Sequence, residues 1–443
     1  MNQKDNTTLI LCKKPLLSGF LLWILCQTNA SAQRLRDCAF SPLYQQKVMS
    51  MKNAFLSRQA FEDSIRHLVQ QKKSRSGRTA EAIIRIPVVV HVIHDNRDSL
   101  TIGGQKNSNI SVQQIESQIR VLNEDYRRKE GTNGYNTNPV GADMEIEFYL
   151  ANRDPNGNVS TGIIRRYRDK SIYSINEDLD DISKISYWPS DRYLNIWVLP
   201  DIYSYLGYGQ FPASGSVAGL NPDYPNAALT DGIFVGCQYV GTTGYLADQT
   251  YALGRTVTHE VGHWLGLIHT WGDEYCGTDY CDDTPPTESS NSTRFCNDRY
   301  STCVSGQTTR NMIENYLDYS PDACMNVFTQ DQKNRVRAVL ELSPRRRLLV
   351  NNNNSLSETA TLQLKVYSNP VQNQTLYFDA TYQGLHSITY QLTTTQGSIL
   401  INTQLSNQPS SSYSLPVNHL TRGTYILTFN TDTEKASARI VIP

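Results

Sequence analysis

The sequence predicts an α/β domain with a twisted mixed sheet, followed by a small all-β sandwich. Between residues 84 and 240, runs rich in β-branched residues alternate with helix-like segments, which is typical of a sheet covered by helices. A helix-like segment with three histidines follows them. Beyond residue 361 the chain changes to short alternating runs separated by turn residues, which indicate a sandwich.

The length and the charge limit the classes of function. The chain has 443 residues, of which 39% are hydrophobic, and this is enough for two or three folded units with a sizeable core. The formal net charge of -1 gives no electrostatic basis for binding nucleic acid or an anionic membrane surface. We therefore expect no nucleic acid among the partners.

The first 32 residues are predicted to be a secretory signal peptide. Two lysines precede an apolar run from Leu16 to Leu25, and Ala30-Ser31-Ala32 provides the small residues needed for cleavage. The apolar run is too short to span a bilayer, and no later stretch is long and apolar enough to cross one. We therefore expect the mature protein to be exported and to have no membrane span.

A pro-segment is predicted next, over residues 33–80. It is charged and ends in a basic run from Lys72 to Arg78, which is typical of an exposed junction that proteases cut. The other predicted boundaries are an α/β domain over 81–349, a linker over 350–361 and a β-sandwich over 362–443.

The α/β domain begins with a strand of β-branched residues from Ile86 to His94. His91 and His94 would point to opposite faces of this strand, so we do not expect them to share a metal. Ser111 is a suitable cap for a helix that runs to about Asp125. The further predicted elements are strands at Met144–Leu150, Tyr193–Leu199 and Gly232–Val240, helices at Tyr251–Leu265 and from Thr329 to about Leu349, and a solvated helix end at Pro344–Arg347.

A stretch of eleven residues contains the reactive groups. His259 and His263 are four apart, so on a helix both project from one face and can bind one ion. Gly266 can take the positive φ that ends the helix and brings His269 back to the same ion. Three imidazoles leave the fourth tetrahedral position of a Zn²⁺ open for water, and Glu260 is placed beside it as a general base.

The alternative is a buried amphipathic helix whose histidines are satisfied in the core. Three of the eight histidines fall within this stretch, with Glu and Gly at the two positions that the chemistry requires. This concentration favours a catalytic zinc site over a structural role.

The motif HExxHxxGxxH resembles that of the metzincin zinc endopeptidases, and its flanks are similar to their pappalysin branch. The similar flanks are Thr270-Trp271, Asp279–Pro285 and Glu314–Ser320, and the resemblance extends over roughly residues 82–349. It implies a zinc metalloendopeptidase made as a zymogen. It also implies an irregular lower subdomain and an upper sheet whose edge strand binds extended substrate, with Leu206–Phe211 near that rim.

Three further site residues follow from this resemblance. Tyr319 matches a tyrosine whose hydroxyl stabilises the tetrahedral intermediate, with packing alone as the alternative role. Leu317 replaces the methionine of the family's Met-turn, and we expect the site to tolerate a residue of similar volume. Asp322 lies in a region that shapes the specificity pocket, where it would pair with Arg or Lys after the cut.

An acidic block after the third histidine is predicted to bind Ca²⁺. It resembles a calcium-binding segment of the same family, and its side chains supply the hard oxygens that this ion prefers. A solvated acidic loop held by disulfides is the alternative. The candidate ligands are Asp279, Asp282, Asp283 and Thr284.

Removal of the signal peptide leaves seven cysteines, an odd number in an oxidising compartment. The resemblance implies the bridges Cys276–Cys303 and Cys296–Cys324, and a third bridge between Cys237 and Cys281 is a hypothesis. Cys38 then remains. A thiolate is a good zinc ligand, so Cys38 is predicted to hold the open zinc position in the latent form, with a free or intermolecularly paired thiol as the alternative.

The C-terminal region resembles the sorting domain of type IX secretion cargo. The similar residues lie at Val366–Val371, Gly397 and Leu420–Tyr425, whereas Ser368 and the last strand depart from the usual pattern. The resemblance implies a secreted or cell-surface protein that the secretion machinery recognises. A sandwich that binds carbohydrate or protein is the alternative.

These observations together predict a secreted zinc metalloendopeptidase that acts on proteins or peptides. The competing hypothesis is a catalytically inactive, zinc-containing surface adhesin or binding protein. The intact Glu260 disfavours it, because a purely structural zinc site has no use for a base at that position. An amidase or another zinc hydrolase is a nearer alternative, which the flanking sequence disfavours.

Overall fold

The structure is a computed structural model of the whole chain. It describes residues 38–39, 62–71, 82–212, 227–247, 249–355, 362–367, 369–371, 374–382, 386–408, 411–432 and 434–443. The predicted signal peptide, the basic junction and the second half of the predicted linker lie outside these residues.

The first domain is built on a mixed sheet of six strands, as the sequence predicts. Their order is β2-β1-β4-β6-β5, and β3 pairs with the other end of β1. All neighbours are parallel except β5, which runs antiparallel to β6 and forms an edge. The strands are β1 Ile84–His94, β2 Ile146–Leu150, β3 Ile163–Tyr167, β4 Leu194–Leu199, β5 Gly207–Gly209 and β6 Gly232–Gly236.

The central strand β1 is buried on both faces from Ile86 to His94, and its sequence there is apolar apart from two histidines. His91 and His94 are both buried within it. The two ring nitrogens of His91 bond Ser186 Oγ and Asn195 Oδ1, at 2.7 and 2.9 Å, so this histidine is satisfied in the core. The strand predicted to reach Val240 ends at Gly236, because residues 237–239 form a 3₁₀ turn.

Six helices are found in the described part of the chain. The helix α2 begins after Ser111, whose side chain accepts from the amide of Gln114 as predicted. The helix α4, which carries His259 and His263, begins four residues later than predicted, because Gly254 takes a φ of 78° at its start. The helices are α1 over residues 62–71, α2 Val112–Tyr126, α3 Leu179–Ile185, α4 Arg255–Trp264, α5 Gln330–Leu342 and α6 Pro344–Ser355.

The closing helix was predicted to be continuous, but it divides into α5 and α6 at Ser343-Pro344, where proline begins a new helix. The prediction of a solvated basic end holds for Arg347, which is exposed, and was wrong for Arg346. Arg346 is fully buried and pairs with both carboxylate oxygens of Asp231, at 2.8 and 3.0 Å. Its guanidinium also lies 3.8 Å from the centre of the Trp264 ring. Arg346 therefore links α6 to the end of α4. The first half of the predicted linker, residues 350–355, belongs to α6.

The lower subdomain is irregular, as the family resemblance implies. Between α4 and α5 the strands are limited to β7 Tyr300–Ser301 and β8 Thr309–Arg310. Two disulfides hold this region, Cys276–Cys303 and Cys296–Cys324, and both match the predicted pairing. The third bridge was predicted wrongly: Cys237 and Cys281 are buried free thiols. Cys237 lies in the sheet core with its thiol on the Pro200 carbonyl, whereas Cys281 lies in the acidic loop.

The C-terminal domain is an all-β sandwich of two antiparallel sheets. Their orders are β13-β10-β9 and β12-β11-β14-β15, and apolar side chains from both sheets form one core. The strands are β9 Gln363–Tyr367, β10 Thr375–Thr381, β11 His386–Thr394, β12 Ile399–Gln408, β13 Ser411–Pro416, β14 Gly423–Asn430 and β15 Lys435–Ile442. None of the helices in the described residues has the length and apolar character needed to cross a membrane.

Candidate metal centre

The end of α4 brings the three histidines together. His259 and His263 lie one turn apart on this helix, and Gly266 follows with a φ of 92°. The amide of Gly266 bonds the carbonyl of His263, and the amide of Leu267 bonds that of Gly262, so the helix closes and the chain reverses. This reversal returns His269 to the face that carries the other two imidazoles.

The three Nε2 atoms form a small triangle with sides of 3.1, 3.1 and 3.2 Å, and all three rings are buried. Each Nδ1 has an acceptor: the Tyr316 carbonyl for His259 at 2.7 Å, the Leu267 carbonyl for His263 at 2.9 Å, and Asp273 for His269 at 2.5 Å. Because these acceptors require a proton on Nδ1, each neutral ring presents its Nε2 lone pair to the centre.

This donor set fits a metal ion. Three lone pairs that converge in a buried space repel one another unless a cation lies between them. Tetrahedral zinc with bonds of about 2.0–2.1 Å requires ligand nitrogens roughly 3.3 Å apart, close to the observed triangle. The thiol of Cys38 joins the group, and the four ligand atoms all lie within 4.8 Å of one another. The three histidines and Cys38 therefore form a cluster of four potential ligands.

Glu260 is buried beside this cluster, against the edge strand β5. A Cβ placed on Gly207 would lie 2.9 Å from Cγ of Glu260, and one on Gly209 would lie 2.1 Å from the Glu260 carbonyl oxygen. Strand and helix therefore approach more closely than a side chain at either glycine would permit. The two glycines within Leu206–Phe211 were the sequence signal for this close approach. The segment contains β5 and lies at the edge of the sheet.

The pro-segment reaches the same place. The thiol of Cys38 donates to Oε2 of Glu260 at 3.3 Å, and the amide of Ala39 donates to the carbonyl of Gly207 at 3.2 Å. The amide of Cys38 donates to the hydroxyl of Tyr319 at 3.3 Å. The latent chain thus contacts the proposed base, the edge strand and the tyrosine at once.

Leu317 and Tyr319 lie two residues apart on the turn beside the histidines. The Tyr319 ring packs edge-on against His269, with centroids 5.0 Å apart, and its hydroxyl faces Cys38. Leu317 is fully buried against Gly262, where an added Cβ would lie 3.1 Å from Cδ2 of the leucine. The leucine therefore occupies the floor position below α4.

Asp273 and Trp271 were missed by the sequence reasoning. Trp271 stacks on His269 with a centroid distance of 4.3 Å and an angle of 6° between the rings. Asp273 accepts from the same ring. The available signal was the spacing, since an acid four residues after a ligand histidine is within reach of its second nitrogen.

Asp322 is placed at the beginning of α4. Its Oδ2 accepts from the amides of Leu253 and Arg255, at 2.9 and 3.1 Å, and the carboxylate is buried. Asp322 thus satisfies amides at the start of α4, a role that the sequence did not indicate.

The predicted calcium ligands do not converge as the histidines do. The Asp279 carboxylate accepts from the Thr284 hydroxyl at 2.9 Å and from the Cys281 amide, and burial raises the pKa of Asp279 to about 7. Asp283 accepts from the amide of Asp331, and Asp282 is exposed. Among the described residues, the cluster of histidines and Cys38 is the one group of potential ligands that meets closely.

Comparisons with known families identify two regions of the chain. Residues 177–341 match the family described as pregnancy-associated plasma protein-A, and residues 365–443 match the secretion system C-terminal sorting domain. The extracellular metalloprotease 1 of Coccidioides posadasii is 30% identical over 268 residues, which are 58% of this chain and 78% of that protein. An extracellular metalloprotease of Sordaria macrospora is 33% identical over 262 residues, or 59% and 76%.

Two similar solved structures come from Tannerella forsythia. A promirolysin mutant is 34% identical, covers 73% of this chain and all of its own, and has a TM-score of 0.56. Mature mirolysin in complex with a cleaved peptide is 37% identical, covers 63% of this chain and all of its own, and has a TM-score of 0.52.

Proposed function

The chain belongs to the pappalysin family of metzincin peptidases, and we propose that it cleaves peptide bonds with zinc held by His259, His263 and His269 and with Glu260 as general base. It is a secreted zinc metalloendopeptidase, made as a zymogen, with a C-terminal sorting domain for type IX secretion. The observation that supports the assignment of residues is the convergence of three imidazole lone pairs beside a buried carboxylate.

A zinc ion at this cluster would supply Lewis-acid chemistry, polarising the scissile carbonyl and the attacking water. In this proposal Glu260 takes a proton from that water and returns it to the leaving amine. The hydroxyl of Tyr319 donates to the oxyanion that develops on the former carbonyl. Gly207 on the edge strand offers its carbonyl to an extended substrate backbone, as it does to Ala39 in the latent chain.

We propose that Cys38 is the group that keeps the zymogen inactive. Its thiol lies with the three imidazoles, so as a thiolate it would complete a closed, four-ligand site. Its contact with Glu260 also withholds the base from water. The pro-segment spans residues 33–80 in this proposal, and the peptidase domain follows at residue 81.

Calcium binding by the acidic loop remains a proposal. The buried Asp279 carries a raised pKa because burial disfavours its charge, and a cation nearby would relieve this. We expect Ca²⁺ at millimolar concentration to raise the melting temperature. The Asp279→Asn protein should lose that increase, whereas an equal calcium effect in both proteins would place the ion elsewhere.

The test of the reaction uses the protein without residues 1–80, as wild type and as Glu260→Ala. Zinc content is measured on both, and a peptide library reports the cleavage sites. We expect one zinc per chain in each and cleavage by the wild type alone, and a basic residue after the cut would support the proposed role of Asp322. Folded, zinc-loaded wild-type protein that leaves every peptide intact would favour the adhesin hypothesis.

A further inference from the structure

A second contact holds the pro-segment, far from Cys38 in the sequence. The helix α1 buries one face, which begins with Glu62 and continues with Ile65, while Asp63 and Arg66 on the other face pair with each other in solvent. Glu62 is a charged residue with only 1% of its surface exposed. A buried carboxylate at this place requires a cationic partner.

That partner is Arg335 on α5. Its guanidinium meets both carboxylate oxygens of Glu62, with Nη2 2.8 Å from Oε1, and its side chain is 2% exposed. The remaining Nε donates to the carbonyl of Gly266 at 2.7 Å. Arg335 therefore joins the pro-segment to the turn that positions the third histidine.

Apolar contacts surround this pair. Ile65 lies in one buried cluster with Ile268, Val339 and Tyr319, and Leu68 of the same helix packs against it. Val339 is one turn after Arg335 on α5, and its side chain lies against Gly266. The helix α1 thus covers a surface with a cation and an apolar border, next to the metal centre.

Cutting the basic junction after residue 71 does not break either contact, because Glu62 and Cys38 both precede it. The excised pro-segment stays bound through two anchors 24 residues apart in sequence until both are released. Arginine cannot lose its charge by releasing a proton, so Arg335 stays positively charged and able to pair with a carboxylate after α1 has left.

We propose that Arg335 and its apolar border form a carboxylate-binding site, and that the excised pro-segment rebinds the mature enzyme there through Glu62 as an inhibitor in trans. The site is distinct from the zinc ligands. The proposal rests on the proposed function for its biological meaning, since inhibition requires a peptidase. Binding of the pro-segment can be measured whether or not the protein cleaves anything.

The test changes the pro-segment alone, because Arg335 also supports Gly266 and its replacement risks misfolding. A fluorescent peptide of residues 33–80 is titrated into zinc-loaded mature protein with Glu260→Ala, which leaves the peptide intact, and anisotropy gives the Kd. The peptides are wild type, Glu62→Gln, Cys38→Ser and the matched control Asp63→Asn. A second measurement follows hydrogen exchange of residues 62–71 in the full chain with the same substitutions.

We expect Glu62→Gln to weaken peptide binding on the order of 100-fold, the loss typical when one partner of a buried ion pair is removed. Asp63→Asn should change Kd less than about twofold, since that pair is exposed. In the full chain, Glu62→Gln should speed exchange over 62–71 while Asp63→Asn does not. Equal affinities of the Glu62→Gln and wild-type peptides would overturn the proposal, for example if Asp279 pairs with Arg335 once α1 has left.

Discussion

Asp273 holds the ring of His269, with Oδ1 2.5 Å from Nδ1, from four residues along the chain. His259 and His263 donate from Nδ1 to main-chain carbonyls, whereas His269 donates to a carboxylate. A carboxylate at this position fixes the tautomer and makes the ring a stronger donor to a metal. Asp273 therefore determines how well the third ligand binds.

We expect Asp273→Ala to lower zinc affinity by about 10–100-fold, because loss of such an orienting partner has this effect in other zinc sites. Competition with a chelator measures the affinity on the mature protein. Glu274→Ala is the matched control, since Glu274 is the exposed neighbour. Equal zinc affinities for the two variants would show that the main chain alone positions His269.

Alanine substitutions at the two glycines of β5 should affect different properties, activity in one case and stability in the other. At Gly207 an added Cβ meets the side chain of Glu260, which can move, whereas at Gly209 it meets backbone at 2.1 Å. We expect Gly207→Ala to lower kcat with little change in melting temperature, and Gly209→Ala to lower the melting temperature itself. Thermal unfolding and kinetics of both variants test this, and a fully active, stable Gly209→Ala protein would contradict it.

The position of Leu317, below α4, should tolerate methionine, which is the family's usual residue there. Leu317→Met keeps the volume against Gly262, so we expect it to cost less than about 1.5 kcal/mol in the free energy of unfolding. Leu317→Ala leaves a cavity there and should cost about 2–5 kcal/mol. Denaturant unfolding measures both, and equal costs would mean that Leu317 is not packed as the structure has it.

Local spacing explains what the sequence could predict. The three histidines and Glu260 lie within eleven residues, so their spacing alone predicts that the side chains come together. Ser111 likewise predicts the start of its helix from its position in the sequence. The missed features join distant residues: Asp231 meets Arg346, 115 residues later, and Glu62 meets Arg335, 273 residues later. The strand β5 has three residues, two of them glycine, and so lacks the β-branched pattern by which strands are recognised.

The buried ion pairs of Asp231 with Arg345 and Arg346 should make the free energy of unfolding depend on pH in the acid range. Burial alone would raise the pKa of Asp231, but the guanidinium groups of Arg346 and Arg345 outweigh it and hold that pKa below its usual value. A lowered pKa contributes stability that is present above the unfolded value of about 4 and is lost as the pH falls through the folded one. The stabilising charge is thus complete at neutral pH.

We therefore expect Asp231→Asn to cost about 3–5 kcal/mol at pH 7, because it leaves a buried arginine unpaired. The difference from wild type should stay constant down to about pH 5 and shrink below about pH 4. Denaturant unfolding across this range measures it. Asp169→Asn, in an exposed pair with Arg97, is the control and should stay within about 1 kcal/mol at every pH.

Substitution of Cys38 should release the zymogen without removing the metal. In the full chain we expect Cys38→Ala to bind zinc through the three histidines, since each keeps its own Nδ1 partner, and to gain peptidase activity. Replacement of zinc by Co²⁺ provides a readout independent of activity: the wild-type zymogen should show a thiolate-to-cobalt absorption band that the variant lacks. Cys281→Ala, whose thiol lies in the acidic loop, should keep the band. A wild-type zymogen without this band would mean that Cys38 acts through Glu260, 3.3 Å from its sulfur, and not as a ligand.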